Sequence, residues 1–196
     1  MTGIIYYGAG NLFSLQCSLD RVGEKHGLIT SAEQFEGYER YIIPGVGHAG
    51  AAMQKLGNTG LIPLVRETKK PLLGVCLGMQ LLTAWSEEGN STLSNIIPVK
   101  TKRFIKEGGL KIPHTGWNKI RIEKPALLYR GIPDESQFYF VHSYHIELNT
   151  NFTLTSTEYG IRFSSSIMKD NFFGVQFHPE KSGEAGEQLL RNFTNL

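Results

Sequence analysis

Between Pro71 and Leu82 the chain reads Pro-Leu-Leu-Gly-Val-Cys-Leu-Gly-Met-Gln-Leu-Leu. A proline stop and a short apolar run predict a buried parallel strand, and the apolar residues beyond the cysteine take up helical spacing. The segment is therefore expected to be strand, sharp turn and helix, with Cys76 at the corner. Such an elbow pushes its central side chain into the open at the carboxyl end of a sheet, and Gly74 and Gly78 remove the side chains that would collide there. Cys76 is expected to be presented, not packed. At the first turn of a helix, unpaired N–H groups and the helix dipole favour thiolate over thiol. A free cysteine can equally be a small buried residue, and a motif as short as G-x-C-x-G leaves both readings open.

The rest of the composition narrows the setting of that elbow. At 196 residues, 40% of them hydrophobic, the chain can bury a core without staples, and one domain over residues 1–196 is expected. A formal charge of +2, evenly scattered, gives no footprint for nucleic acid. Nothing near the amino end has the order of a signal peptide, and no apolar run approaches the roughly 18 residues that span a bilayer. The expectation is a cytoplasmic protein that binds neither membrane nor nucleic acid, with Cys17 and Cys76 as free thiols.

Along the chain, Gly3 to Tyr7 reads as a strand broken by Gly8-Ala9-Gly10, after which Asn11 caps a helix carrying Leu12, Leu15, Leu19 and Val22. This turn lacks the third glycine of a dinucleotide fingerprint, so no cofactor is expected there. Tyr41-Ile42-Ile43 is the next strand, ending in Pro44-Gly45-Val46-Gly47. Exposed backbone N–H groups at the carboxyl end of a parallel strand make that loop a candidate oxyanion hole or an ordinary βα connection. Asn58 to Lys69 reads as a helix with Pro63 near its first turn. Beyond Ile96 short strands flank a rigid loop, Ile112 to Asn118. Phe138 to His145 reads as one strand with His142, Ser143, Tyr144 and His145 at its end, and β segments follow over 153–157, 164–168 and 172–177. Ser182 is expected to cap a last helix with an apolar stripe of Leu189, Leu190 and Phe193. The first half thus alternates strand and helix while the second leans antiparallel, an α/β fold.

A buried-strand run, Phe173 to Phe177, ends at His178-Pro179-Glu180. The spacing suggests that Glu180 accepts a hydrogen bond from one ring nitrogen of His178, leaving the other facing Cys76 in a Cys-His-Glu triad. Parallel strands bring their carboxyl ends to one sheet edge, so the distance in sequence is no obstacle. Zinc held by His142 and His145 is the metal alternative, but no cysteine or second histidine pair completes four ligands. No metal is expected.

Taken in order, Pro44-Gly45-Val46-Gly47, Gly74-Val75-Cys76-Leu77-Gly78-Met79-Gln80 and Gln176-Phe177-His178-Pro179-Glu180 resemble the triad-type (class I) glutamine amidotransferases over almost the whole chain. Tyr7 to Leu12, Pro113 to Asn118, Tyr139 to Tyr144 and Lys181-Ser182-Gly183 are similar to the glutaminase subunit family of imidazole glycerol phosphate synthase, the HisH family. Tyr6 and Thr115 depart from that pattern, and neither belongs to the triad.

The resemblance implies a mostly parallel, flavodoxin-like open sheet flanked by helices, with additional antiparallel strands. It implies that Cys76 attacks the side-chain amide of glutamine, with Val46, Gly47 and Leu77 forming the oxyanion hole. Gly45, Gly47, Gln80, His142, Ser143 and Tyr144 would hold the substrate. It further implies a heterodimer with a (β/α)8-barrel cyclase subunit of the HisF type, reached across Asn11, Trp117, Asn118, Tyr139 and Lys181. That partner would use the ammonia to make imidazole glycerol phosphate and an aminoimidazole carboxamide ribotide in histidine biosynthesis. Little turnover is expected from the chain alone, because family members often complete the oxyanion hole only beside a loaded partner. Two other readings keep the same residues: a paralogous glutaminase feeding a different synthase such as a sugar amidotransferase, and a stand-alone thiol amidohydrolase.

Overall fold

The structure, a computed structural model, describes residues 1–106 and 109–196. The amino-terminal half runs β1 (Thr2–Ile5), α1 (Leu12–Arg21), β2 (His26–Ile29), β3 (Arg40–Gly45), α2 (Ala49–Asn58), α3 (Leu61–Glu67), β4 (Leu72–Cys76), α4 (Leu77–Leu81). Strands then dominate: β5 (Thr83–Ser86), β6 (Ser91–Thr92), β7 (Ile97–Arg103), β8 (His114–Lys119), β9 (Arg121–Ile122), β10 (Gln137–His142), β11 (Tyr144–Ile146), β12 (Thr153–Tyr159), β13 (Ile161–Lys169) and β14 (Phe172–Val175). Helix α5 (Gly183–Phe193) closes the fold.

Five strands in the order β2-β1-β3-β4-β14 are mutually parallel. This is the flavodoxin-like arrangement, in which ligands bind outside the carboxyl ends of the strands. The sheet continues antiparallel through β13, β11 and β7, while β8 and β10 pair as a separate ribbon. Alternate residues of the parallel strands enter two cores. Ile5, Tyr41, Ile43 and Leu72 pack with Leu56, Leu61 and Val65 of α2 and α3. Ile4, Ile42, Leu73 and Val75 pack with Leu15 and Leu19 of α1 and with Leu189, Leu190 and Phe193 of α5. Strands covered on both faces are apolar at nearly every position, which is why β1, β3 and β4 read as near-continuous apolar runs.

Several expectations change in detail. The helix expected over 58–69 is α3 alone. Gly60, in the left-handed region at φ 70°, separates it from α2, whose small residues Ala49, Gly50, Ala51 and Ala52 carry little periodic signal. Pro63 is its third residue, where the missing N–H would have had no intrahelical partner. The loop expected over 112–118 contains strand β8, made by its ladder with β10 rather than by its own propensity. The single strand expected over 138–145 is broken at Ser143, so that β10 joins the ribbon and β11 the main sheet. The apolar stripe on α5 is as expected, with all three residues fully buried.

Candidate active site

Cys76 ends β4 with φ 54° and ψ −109°. A residue with a side chain held there costs about 1–3 kcal/mol, a strain typical of nucleophile elbows. The turn is so tight that a Cβ on Gly78 would lie 1.8 Å from the carbonyl oxygen of Ile43, and one on Gly74 would lie 2.5 Å from that of Gly78. Both positions exclude any side chain. Cys76 is buried, against the expectation of an open thiol, and it lines a cavity of about 300 Å³. Val46, Gly47, Leu77, Gln80 and His178 line the same cavity. Opposite them stand Val141, His142, Ser143 and Tyr144, carried there by the break between β10 and β11. Gly45 sits beside Cys76 in the sheet register, just outside this lining. A roomier concavity, about 630 Å³, lies around Trp85, Lys102, Phe104 and His145 and holds none of Cys76, His178 or Glu180.

His178 follows β14, and its Nδ1 lies 2.8 Å from Glu180 Oε1. Nε2 is buried without a hydrogen bond, as is Glu180 Oε2. Burial pulls the imidazole pKa down, but Cys76 and Glu180 together outweigh it and raise it to about 10. The imidazole is therefore protonated at neutral pH. Ser182 stands at the N-cap position of α5 without capping it. Its hydroxyl instead donates to His178 O at 2.6 Å and accepts from Tyr139 N at 3.0 Å, while His178 N donates to Tyr139 O at 2.9 Å. The histidine backbone is thereby clamped to β10.

A second histidine pair lies behind the cavity wall. His142 Nδ1 is 2.7 Å from the carbonyl oxygen of Tyr144, which can only accept, so Nδ1 carries the proton. Burial lowers the pKa of His142 to about 3 and that of His114 to about 4, so both rings are neutral. His142 Nε2 must then accept from His114 Nδ1 at 3.0 Å, and His114 Nε2 from Asn118 Nδ2 at 3.3 Å. Both nitrogens of His142 are engaged within the protein, leaving only its ring face for the cavity.

Three contributors had no role assigned to them from the sequence, although Tyr7 and His114 lie in motifs that carry the family resemblance. Glu88 is the acidic residue of the cavity, and its Oε2 accepts from Ala49 N at 2.6 Å. The buried Tyr7 hydroxyl donates to Pro44 O at 3.0 Å, and burial together with nearby Cys76 raises its pKa. His114 stood in a segment read as a loop, where its partners could not be seen. Outside the cavity lining, Trp117 of β8 is 54% exposed and meets Tyr139 edge to face at 6.1 Å, and Lys181 Nζ lies 5.8 Å from the Tyr139 ring centroid. Asn118 turns inward to His114 and Glu158 O, whereas Asn11 is exposed and caps α1 through Ser14 N.

Known proteins share this architecture. The family model described as glutamine amidotransferase class-I matches residues 9–196. The imidazole glycerol phosphate synthase subunit HisH of Buchnera aphidicola is 44% identical over 194 residues, 98% of each chain. The subunit of the same name from Moorella thermoacetica is 44% identical over 98% of this chain and 93% of its own. Among solved structures, PurLQS from Thermotoga maritima superposes with a TM-score of 0.76 at 15% identity, covering 99% of this chain and 97% of that one, a likeness of fold. With the elbow, the dyad and the cavity in their places, the chain belongs to the class I glutamine amidotransferases and, within them, to the HisH family of imidazole glycerol phosphate synthase subunits.

Proposed function

We propose that Cys76, His178 and Glu180 perform the glutaminase reaction that membership of the HisH family assigns to this chain. The observation that carries this reading is the strained Cys76 elbow sharing one cavity with His178, whose Nδ1 is bonded to Glu180 outside that lining. Sγ of Cys76 attacks the side-chain amide carbon of glutamine, and backbone N–H groups of Val46, Gly47 and Leu77 receive the oxyanion. His178 gives its Nε2 proton to the leaving nitrogen, which departs as ammonia. The same nitrogen then takes a proton from water as the water attacks the thioester, and glutamate and the thiolate are released. Glu180 holds the ring through Nδ1 and stabilises its charged form.

Gln80, Ser143, Tyr144 and the Gly45–Gly47 loop hold the substrate in this reading, and the His142 ring shapes the wall. Glu88 supplies the negative charge that the α-ammonium of glutamine needs. Ammonia released to bulk water near neutral pH would be protonated, so the product is useful only if passed directly to a second site. The partner is a cyclase subunit built as a (β/α)8 barrel, and it docks on Trp117, Tyr139 and Lys181, with Asn11 and Asn118 nearer the docking edge. The chain works as one domain in the cytoplasm. Among the described residues no helix is long and apolar enough to cross a membrane.

The deciding experiment is a glutaminase assay on the purified chain with and without the candidate cyclase and its nucleotide ligand. Turnover should be slow alone and rise with the loaded partner. Cys76→Ala should abolish hydrolysis while leaving the circular dichroism spectrum and partner binding intact. Retained hydrolysis by that variant would remove Cys76 from the chemistry.

A further inference from the structure

Gln176, the residue after β14, is fully buried, with its backbone N–H bonded to Ser165 O at 2.8 Å. Its side chain reaches the reacting sulfur: Nε2 lies 3.6 Å from Cys76 Sγ. The other end of the carboxamide is fixed, because Oε1 accepts from Gln80 Nε2 at 3.0 Å. The three side chains form a line, Gln80 to Gln176 to Cys76, in which each amide donates toward the sulfur.

The geometry points to Gln176 as a further catalytic residue, a fixed hydrogen-bond donor that stabilises the Cys76 thiolate before attack and again as the thioester breaks. A thiol needs no such partner, since Sγ–H can donate to Val141 O at 3.9 Å. The thiolate has no proton to give and three lone pairs to satisfy, and a carbonyl oxygen facing it is repulsive. The reactive state therefore demands the amide orientation that Gln80 enforces. Burial of Gln176 strengthens the bond, because its amide is out of reach of water. Gln80 thus acts at two places: its Nε2 orients Gln176, and its Oε1 remains for the cavity. Hydrogen bonds to charged partners contribute enough for removal of this one to slow thiolate chemistry roughly tenfold to a hundredfold.

This inference rests on Cys76 being the nucleophile, and it is tested without turnover. Alkylation of Cys76 by iodoacetamide, followed by peptide mass spectrometry to separate it from Cys17, reports the reactive sulfur from pH 6 to pH 10. Gln176→Leu should slow alkylation at pH 7 about tenfold or more and converge on the parent protein near pH 10, where thiolate forms without help. Gln176→Glu, which keeps the shape and puts an acceptor or a negative charge against the sulfur, should slow it further. Gln80→Met, which frees the Gln176 amide to turn, should give a smaller loss in the same direction. If Gln176→Leu does not fold, Gln176→Glu decides by itself. A Gln176→Glu profile superimposable on the parent, in a protein with native circular dichroism, overturns the assignment whatever Cys76→Ala does to hydrolysis.

Discussion

His178, His142 and His114 lie within one small region and are pushed in opposite directions. For His178, Cys76 and Glu180 outweigh burial and raise the folded pKa to about 10. Its contribution to stability is complete below the unfolded value near 6.5 and is lost as pH rises toward about 10. For His142 and His114, burial dominates and lowers the folded values to about 3 and about 4. Their contribution is complete above about 6.5 and is lost as pH falls, because the unfolded chain takes up protons that the folded chain refuses. The two effects occupy separate pH windows. Between pH 6.5 and 4.5 the His114–His142 pair should therefore make the fold progressively less stable as pH falls. Urea unfolding at pH 7 and pH 5 measures this, and His114→Gln, which cannot charge, should flatten the slope below pH 6.5. An unchanged slope would place the acid sensitivity elsewhere.

At the scale of elements, the β4–α4 elbow shows how far local sequence can reach. Gly74, Cys76 and Gly78 mark a tight strand-to-helix turn in the sequence itself, because only a residue without Cβ fits at the two glycine positions where the strand and helix backbones touch. The structure adds that the touching atom at Gly78 is the Ile43 carbonyl oxygen on β3, a backbone group that cannot rotate away. Gly78→Ala should accordingly destabilise the fold by about 3 kcal/mol or more, read as a lower denaturation midpoint, with a matching loss of hydrolysis. A stable, active alanine variant would mean that β3 can shift. By contrast, α2 left no periodic trace and β8 read as a loop. The first has few large apolar residues, and the second holds its polar sequence in strand form through partners 18 (Lys119 to Gln137) to 28 (His114 to His142) residues away.

For the whole molecule, the clamp among His178, Ser182 and Tyr139 joins the histidine of the proposed triad to β10, whose Tyr139 belongs to the proposed docking cluster. Trp117 and Lys181 flank that strand on the outside, so they can bear on a partner without entering the cavity. Trp117→Ala and Lys181→Ala should each weaken complex formation by about tenfold or more, measured by titration calorimetry, while the slow hydrolysis by the free chain stays within about twofold. Equal loss of both would make the cluster part of the catalytic framework instead of the docking face.

By itself the sequence determined the alternation of strand and helix, the cysteine elbow, the histidine and carboxylate two residues apart, and the apolar stripe that seats α5. Each is a local fact, set by periodicity, by the absence of a Cβ or by the stiffness of a proline. Only the tertiary structure decided that Gln176 faces the sulfur, that both nitrogens of His142 are already engaged, that Glu88 charges the cavity, and that Ser182 clamps rather than caps. Those roles depend on which buried polar atoms meet across the sheet. Leaving a buried donor or acceptor unpaired is costly, and the groups that pair them here come from strands far apart in the chain.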